Sequence, residues 1–226
     1  MFEGFSQETV DFLWGIRLNN ERSWFLEHKE DFRNHVDLPL RQLAQQVSQV
    51  MDEEFPELGL QLKVSRIYRD ARRLFGRGPY KDHLWFSLRL PSGEDSATPC
   101  IFFELAPECW RTGMSCYDPK PITMMKLRAR IDRDPKPLTK LVRGLEKRPE
   151  FQLETQPYKR PKGDPGELLR PWYNSRQISV ERAENCEGDY LTPDLFDRVV
   201  EDFRFLVPIY RYMRSLASDP DPRDPV

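Results

Sequence analysis

The chain has 226 residues, with 35 Lys+Arg against 37 Asp+Glu and a formal net charge of −2. That near balance excludes a general attraction to nucleic acid or anionic membranes, so only local clusters can supply one. Its 14 Phe, 8 Tyr and 5 Trp speak against disorder, and the length suffices for a core without disulfides or metal.

The N-terminal MFEGFSQETV has no basic region followed by a long apolar run, so no signal peptide is expected. Ser6 is placed to cap a first helix, with Phe5 before it and Val10, Leu13 and Trp14 at helical spacing. Asn19-Asn20 breaks that helix. Ser23 caps or joins a second one through Trp24, Phe25, His28 and Phe32. Pro39 sits early in a third, whose Leu40, Leu43, Ala44, Val47, Val50 and Met51 form a regular apolar stripe. The acidic DEEFPE at 52–57 ends it.

Strands follow. Leu60 to Tyr68 is one, and Leu84 to Leu90 is another, closed by Pro91-Ser92-Gly93. Cys100 to Leu105 and Trp110 to Tyr117 flank Ala106-Pro107-Glu108-Cys109, a hairpin loop that sets Glu104 opposite Arg111. Short connections imply an antiparallel sheet. A helix returns after Pro121 and is stopped by Pro135, and Leu138, Leu141, Val142 and Leu145 mark another. Residues 155–174 read as irregular, and Ile178 to Glu181 as a small strand. Thr192 caps a long final helix carrying Phe196, Val199, Val200, Phe203, Leu206, Val207, Tyr210 and Met213. The expected fold is α+β, with a mainly antiparallel sheet over roughly residues 60–117 packed against N- and C-terminal helices. One domain is expected over 1–217, with a disordered tail at 218–226.

Cys100, Cys109, Cys116 and Cys186 form no C-x-x-C pair and fit no zinc template, and His28, His35 and His83 are scattered. No metal is therefore expected, and no cofactor is indicated. No run of 18 apolar residues occurs, so no membrane span is expected. Free cysteines without an export signal point to the cytoplasm.

The chemistry concentrates in RIYRDARRLFGRGPYK at 66–81. With Lys63, this stretch sets Arg66, Arg69, Arg72, Arg73, Arg77 and Lys81 against Asp70 alone. Strand alternation puts Arg66, Tyr68 and Asp70 on one face and Lys63, Ser65, Ile67 and Arg69 on the other. One face plus the following loop can then converge: Arg66, Tyr68, Arg72, Arg77, Tyr80 and Lys81. Arginine forks bind phosphate or carboxylate in bidentate fashion, and tyrosine adds a hydroxyl or a stacking face. Lys159 and Lys162, in the irregular YKRPKG stretch, are candidates to join them. The partner would be an anionic small molecule or nucleic acid.

Two other readings stand beside this one. The arginines pair with the chain's own acids in a structural module, or the site is an enzyme acting on a phosphorylated or nucleotide substrate. Asp70 and Glu104 are then the acid–base candidates. Glu104 reads equally as the partner of Arg111. Gly76-Arg77-Gly78 lacks the G-K-[ST] of a P-loop, and no G-x-S-x-G is present. Asn19 and Asn20 serve either as a turn or as amides for a ligand. Trp85, Trp110 and Trp172 are either core or stacking platforms.

GF-x4-VDFL-x5-NNERSWF, RIYRDARRLFGRGPYK, FFELAPECWRTGMSCYDP, MKLRARI and YKRPKG together resemble the bacterial and fungal family called domain of unknown function 2461. The resemblance spans roughly residues 2–210. Members usually read R-F-S-x-x-K-x-P-Y-K where this chain has Arg73 to Lys81, so Arg77 replaces a lysine, keeping the charge but not the geometry. The resemblance implies one α+β domain in the cytoplasm and brings no catalytic residue with it.

Overall fold

The computed structural model describes residues 1–70, 72, 74, 76–91 and 98–224. The turn expected at Ser92-Gly93, the basic Arg73 and the last two residues of the chain lie outside the described residues.

Helix α1, Gln7–Leu18, starts where the sequence places it. The Ser6 N–H donates to Thr9 Oγ1 at 3.1 Å, and the Thr9 hydroxyl donates to the His35 carbonyl at 2.6 Å. Capping at one end of α1 thereby holds the next helical run in place. Phe12, Leu13 and Ile16 are buried, while Trp14 is 39% exposed and lies against Arg17.

The second and third expected helices form an almost continuous helical run. It comprises α2, Arg22–Glu27; α3, Lys29–Asp31; a π-helical segment, Phe32–Asp37; and α4, Leu38–Glu54. Ser23 lies inside α2 rather than capping it; the cap position is Glu21. Pro39 lies just past the π-helical segment, and Leu40, Leu43, Ala44, Val47 and Met51 bury the expected stripe.

The sheet has six strands: β1, Gln61–Val64; β2, Leu84–Arg89; β3, Cys100–Leu105; β4, Cys109–Cys116; β5, Gln152–Pro157; and β6, Ser175–Asn185. They are antiparallel, in the order β1-β2-β3-β4-β6-β5. Helices α5, Pro121–Arg133, and α6, Lys136–Leu145, follow β4. The short α7, Arg170–Tyr173, precedes β6, and α8, Asp194–Ser215, comes last.

Two expectations need correction. The sheet does not end at residue 117, because β5 and β6 extend it. They pair as Gln152↔Glu181, Leu153↔Val180, Glu154↔Ser179 and Thr155↔Ile178, then slip before Pro157↔Ser175. The strand expected from Leu60 to Tyr68 stops at Val64. Ser65 donates its N–H to the Trp85 carbonyl at 2.8 Å, but the Trp85 N–H goes to the Ser65 hydroxyl at 3.0 Å rather than to a carbonyl. A side chain thus replaces one rung and ends the ladder. The chain then crosses an isolated bridge, Tyr68↔Tyr80. The alternation that separated Arg66 from Lys63 and Arg69 is lost at that point. Near the end of the chain, Arg130 donates to Asp219 through bonds of 2.7 and 2.6 Å.

The chain divides into two compact units. The first comprises Met1–Leu88, Phe102–Thr112 and Ala183–Arg204. Its core stacks Phe5 on Tyr190 and Phe103, and Phe103 on Phe86 and Trp110. The Thr112 hydroxyl donates to fully buried Asp202 at 2.7 Å. The second comprises Arg89–Ile101, Gly113–Arg182 and Phe205–Val226. There Phe151 packs on Phe205 beneath Arg148, and the Tyr173 hydroxyl donates to Asp132 at 3.0 Å. Among the described residues, no helix is long and apolar enough to cross a membrane.

Candidate functional site

Where β1 gives way to the 66–81 loop, the first unit opens a groove of about 750 Å³. Lys63, Arg66, Arg69, Arg72, Arg77 and Lys81 line it, with Asp70 the one carboxylate among the described residues and Tyr68 and Trp85 as ring surfaces. The broken ladder is what allows this. Lys63 and Arg69, expected on the far face, line the same groove as Arg66.

The cations divide by what they already hold. Arg69 is committed to the structure: its Nε donates to the Tyr80 carbonyl at 2.6 Å and its Nη2 to Asp82 at 3.1 Å. Arg72 closes on Asp70, with Nε at 3.1 Å and Nη2 at 2.8 Å, and its own N–H also bonds that carboxylate. Lys81 donates to the Arg66 carbonyl at 2.6 Å and sits 4.3 Å above the Trp85 ring. Its burial, together with Arg66, Arg69 and Lys63 nearby, pulls its ammonium below the usual lysine range. Lys63, Arg66 and Arg77 have no carboxylate partner among the described residues.

Tyr68 is 56% exposed and is backed edge-on by Phe25 and at a tilt by Tyr80. It offers a supported ring face to whatever enters. Tyr80, expected to touch a ligand, is instead 3% exposed and stacks on Phe25 at 4.3 Å. It belongs to the floor that holds Tyr68 up. Lys159 and Lys162 belong to the second unit, and neither lines this groove. Lys162 lies over the Tyr158 ring, and its N–H is taken by Asn174. Glu104 accepts from Arg111 Nη1 at 3.0 Å, the cross-strand pair expected from the hairpin.

Two residues that sequence reasoning passed over or left undecided hold the groove together. Asn20 acts as a one-residue strand: its Oδ1 accepts the Tyr80 N–H at 2.9 Å and its Nδ2 donates to the Tyr80 carbonyl at 3.0 Å. Its amide is spent on the backbone and is not presented to a ligand. Gly78 is required beside it, since a Cβ there would lie 2.2 Å from Asn20 Oδ1 and 2.5 Å from its carbonyl oxygen. Asp82 gathers Arg17 Nε at 2.6 Å, Arg69 Nη2 at 3.1 Å and His83 Nδ1 at 3.1 Å. Arg17 also reaches Glu108. Burial raises the Asp82 carboxyl, but the bonds from Arg17 and His83 outweigh it and hold it down at about 2. The available signal was a lone acid directly after a basic run, Lys81-Asp82.

Two stretches far apart in the sequence thus meet at the groove: NNERSWF, through Asn20 and Phe25, and GRGPYK, through Gly78 and Tyr80. Among curated proteins, none matches this chain. The model of the conserved hypothetical protein family DUF2461 matches residues 8–212, nearly the whole length, and the chain belongs to that family.

Proposed function

We propose that this chain is a cytoplasmic binding protein whose groove takes a phosphate-bearing anion. One observation carries the reading: Lys63, Arg66 and Arg77 share a groove of about 750 Å³ and lack an acidic partner among the described residues. Clustered cations repel one another, so a shared counter-anion lowers the energy of all three. The volume falls in the range of small-molecule sites, and Tyr68 supplies a ring face for a flat group attached to the phosphate. Arg72 is 88% exposed, so it can leave Asp70 for a better acceptor at little cost. Asp70 and Glu104 already take arginines, so the binding reading needs no reacting group. None of the four cysteines is in a disulfide, which supports the cytoplasmic placement.

Calorimetric titration tests this with inorganic phosphate, a nucleoside monophosphate and a short single-stranded oligonucleotide. The wild type is expected to bind a phosphate compound, and R66A/R77A to lose at least about tenfold in affinity, since a charge-assisted bond is worth about 1.5–3 kcal/mol. Unchanged affinity in R66A/R77A, or no binding by the wild type, overturns the reading.

A further inference from the structure

Helix α6 carries a second basic surface, in the other unit and built differently from the groove. Leu138, Val142 and Leu145 are its buried side. At about 100° per residue, Lys136, Lys140 and Arg143 fall within an arc of about 60° on the opposite side, and Lys147 lies in the turn that follows the helix. All four are exposed. They line a shallow depression of about 510 Å³ with Thr139 and Gly144. No carboxylate pairs with any of the four among the described residues. The nearest acids on the same stretch lie off the stripe: Glu146 is about 60° round the helix from Arg143, and Asp134 accepts the Lys136 backbone N–H at 3.1 Å.

The shape of the surface selects its partner. The three helical cations alone extend over about 10 Å at 1.5 Å per residue, with Lys147 beyond them, too far for one small anion to reach. A repeating polyanion meets all of them. A bilayer fits less well, because the apolar side of α6 is already buried and only Thr139 and Gly144 lie between the cations. Gly144 lines the same depression with open space at its Cβ position, so a backbone can approach the helix closely there. The chain's net charge of −2 supplies no diffuse attraction, so any such binding is local to this stripe.

We propose that Lys136, Lys140, Arg143 and Lys147 form a docking stripe for the phosphate backbone of nucleic acid, read without regard to base sequence. With about one counterion released per phosphate neutralised, four contacts give a log–log salt slope of about −3 to −4. That corresponds to about a hundredfold loss of affinity between about 50 and 200 mM salt. Contacts confined to phosphates leave sequence unread.

Fluorescence anisotropy tests this with the full chain and labelled duplexes of two unrelated sequences across that salt range. Equal affinity for both duplexes and the stated slope are expected for the wild type. K136Q/K140Q/R143Q/K147Q is expected to lose the slope, and the milder K140Q/R143Q to lower it by about two. Both variants alter exposed, unpaired side chains, and a thermal melt confirms that they fold. The groove variant R66A/R77A should keep the duplex slope, and the α6 variants should keep any phosphate binding, so the two proposals fail separately. An unchanged slope in the four-site variant overturns the stripe. So does wild-type binding to phosphatidylserine vesicles with none to duplex at about 50 mM salt.

Discussion

Asp82→Asn is the most informative single change at the groove. Asp82 collects Arg17, Arg69 and His83, and its side chain is 18% exposed. Its carboxyl sits at about 2 against an ordinary 3.8. A folded-state value below the unfolded one means the unfolded chain takes up the proton first. The stabilisation is therefore complete above about pH 4 and is lost as pH falls toward 2. Nearly two units correspond to about 2 kcal/mol, and partial solvent screening brings this to between about 1 and 2. The substitution also leaves Arg69 without its carboxylate, although its bond to the Tyr80 carbonyl survives. A total loss of about 2 kcal/mol at pH 7 follows, or about 4–8 °C in Tm for a chain of this size. Urea unfolding of wild type and D82N from neutral pH down to pH 2 measures it. The gap between them should narrow steeply as the pH falls toward 2, because the wild-type residue is by then about half protonated in the folded protein. A gap that stays constant with pH, or an Asp82 carboxyl carbon titrating at its ordinary value, would refute the assignment of Asp82 as the anchor.

Asn20→Ala removes two hydrogen bonds to the Tyr80 backbone and should cost about 2 kcal/mol in urea unfolding. Gly78→Ala should cost a similar amount through its clash with Asn20, and the double variant should lose less than the sum. Strict additivity would show that the two residues do not press on each other. Burial pushes the thiol of Cys100 up to about 11, and burial with Cys100 alongside pushes that of Cys116 up to about 12. Both should alkylate at least about a hundredfold more slowly at pH 8 in the native protein than in urea, as followed by peptide mass spectrometry. Equal rates in the two states would count against their burial.

Patterns one element long were legible in the sequence. The α4 stripe, the β3–β4 hairpin with Glu104 facing Arg111, and the long last helix follow from periodicity and turn chemistry alone. The location of the basic groove was legible too, since charge density survives any local geometry. What escaped depended on one side chain standing in for backbone. The Ser65 hydroxyl ends a ladder that alternation would have continued, and so reassigns Lys63 and Arg69 to the face of Arg66. Asn20 supplies a strand neighbour from 60 residues away. Strand β5 was missed because its burial pattern follows no apolar run: only Leu153 of Leu153-Glu154-Thr155-Gln156 is aliphatic, and a proline follows. The π-helical segment Phe32–Asp37 likewise joined two helices that composition had separated.

The Asn20 amide has one further consequence, for how the groove and the first helices share their fluctuations. The loop carrying Arg77 and Lys81 is fastened through Tyr80 to Asn20, two residues past the end of α1, so neither part can open while that pair stays closed. Closing a loop of that length is entropically costly, and the cost is recovered only when both ends are in place. Local unfolding of the first 20 residues therefore releases the groove at the same moment. A ligand that recognises only the closed groove must, by reciprocity, slow hydrogen exchange in helices it never touches.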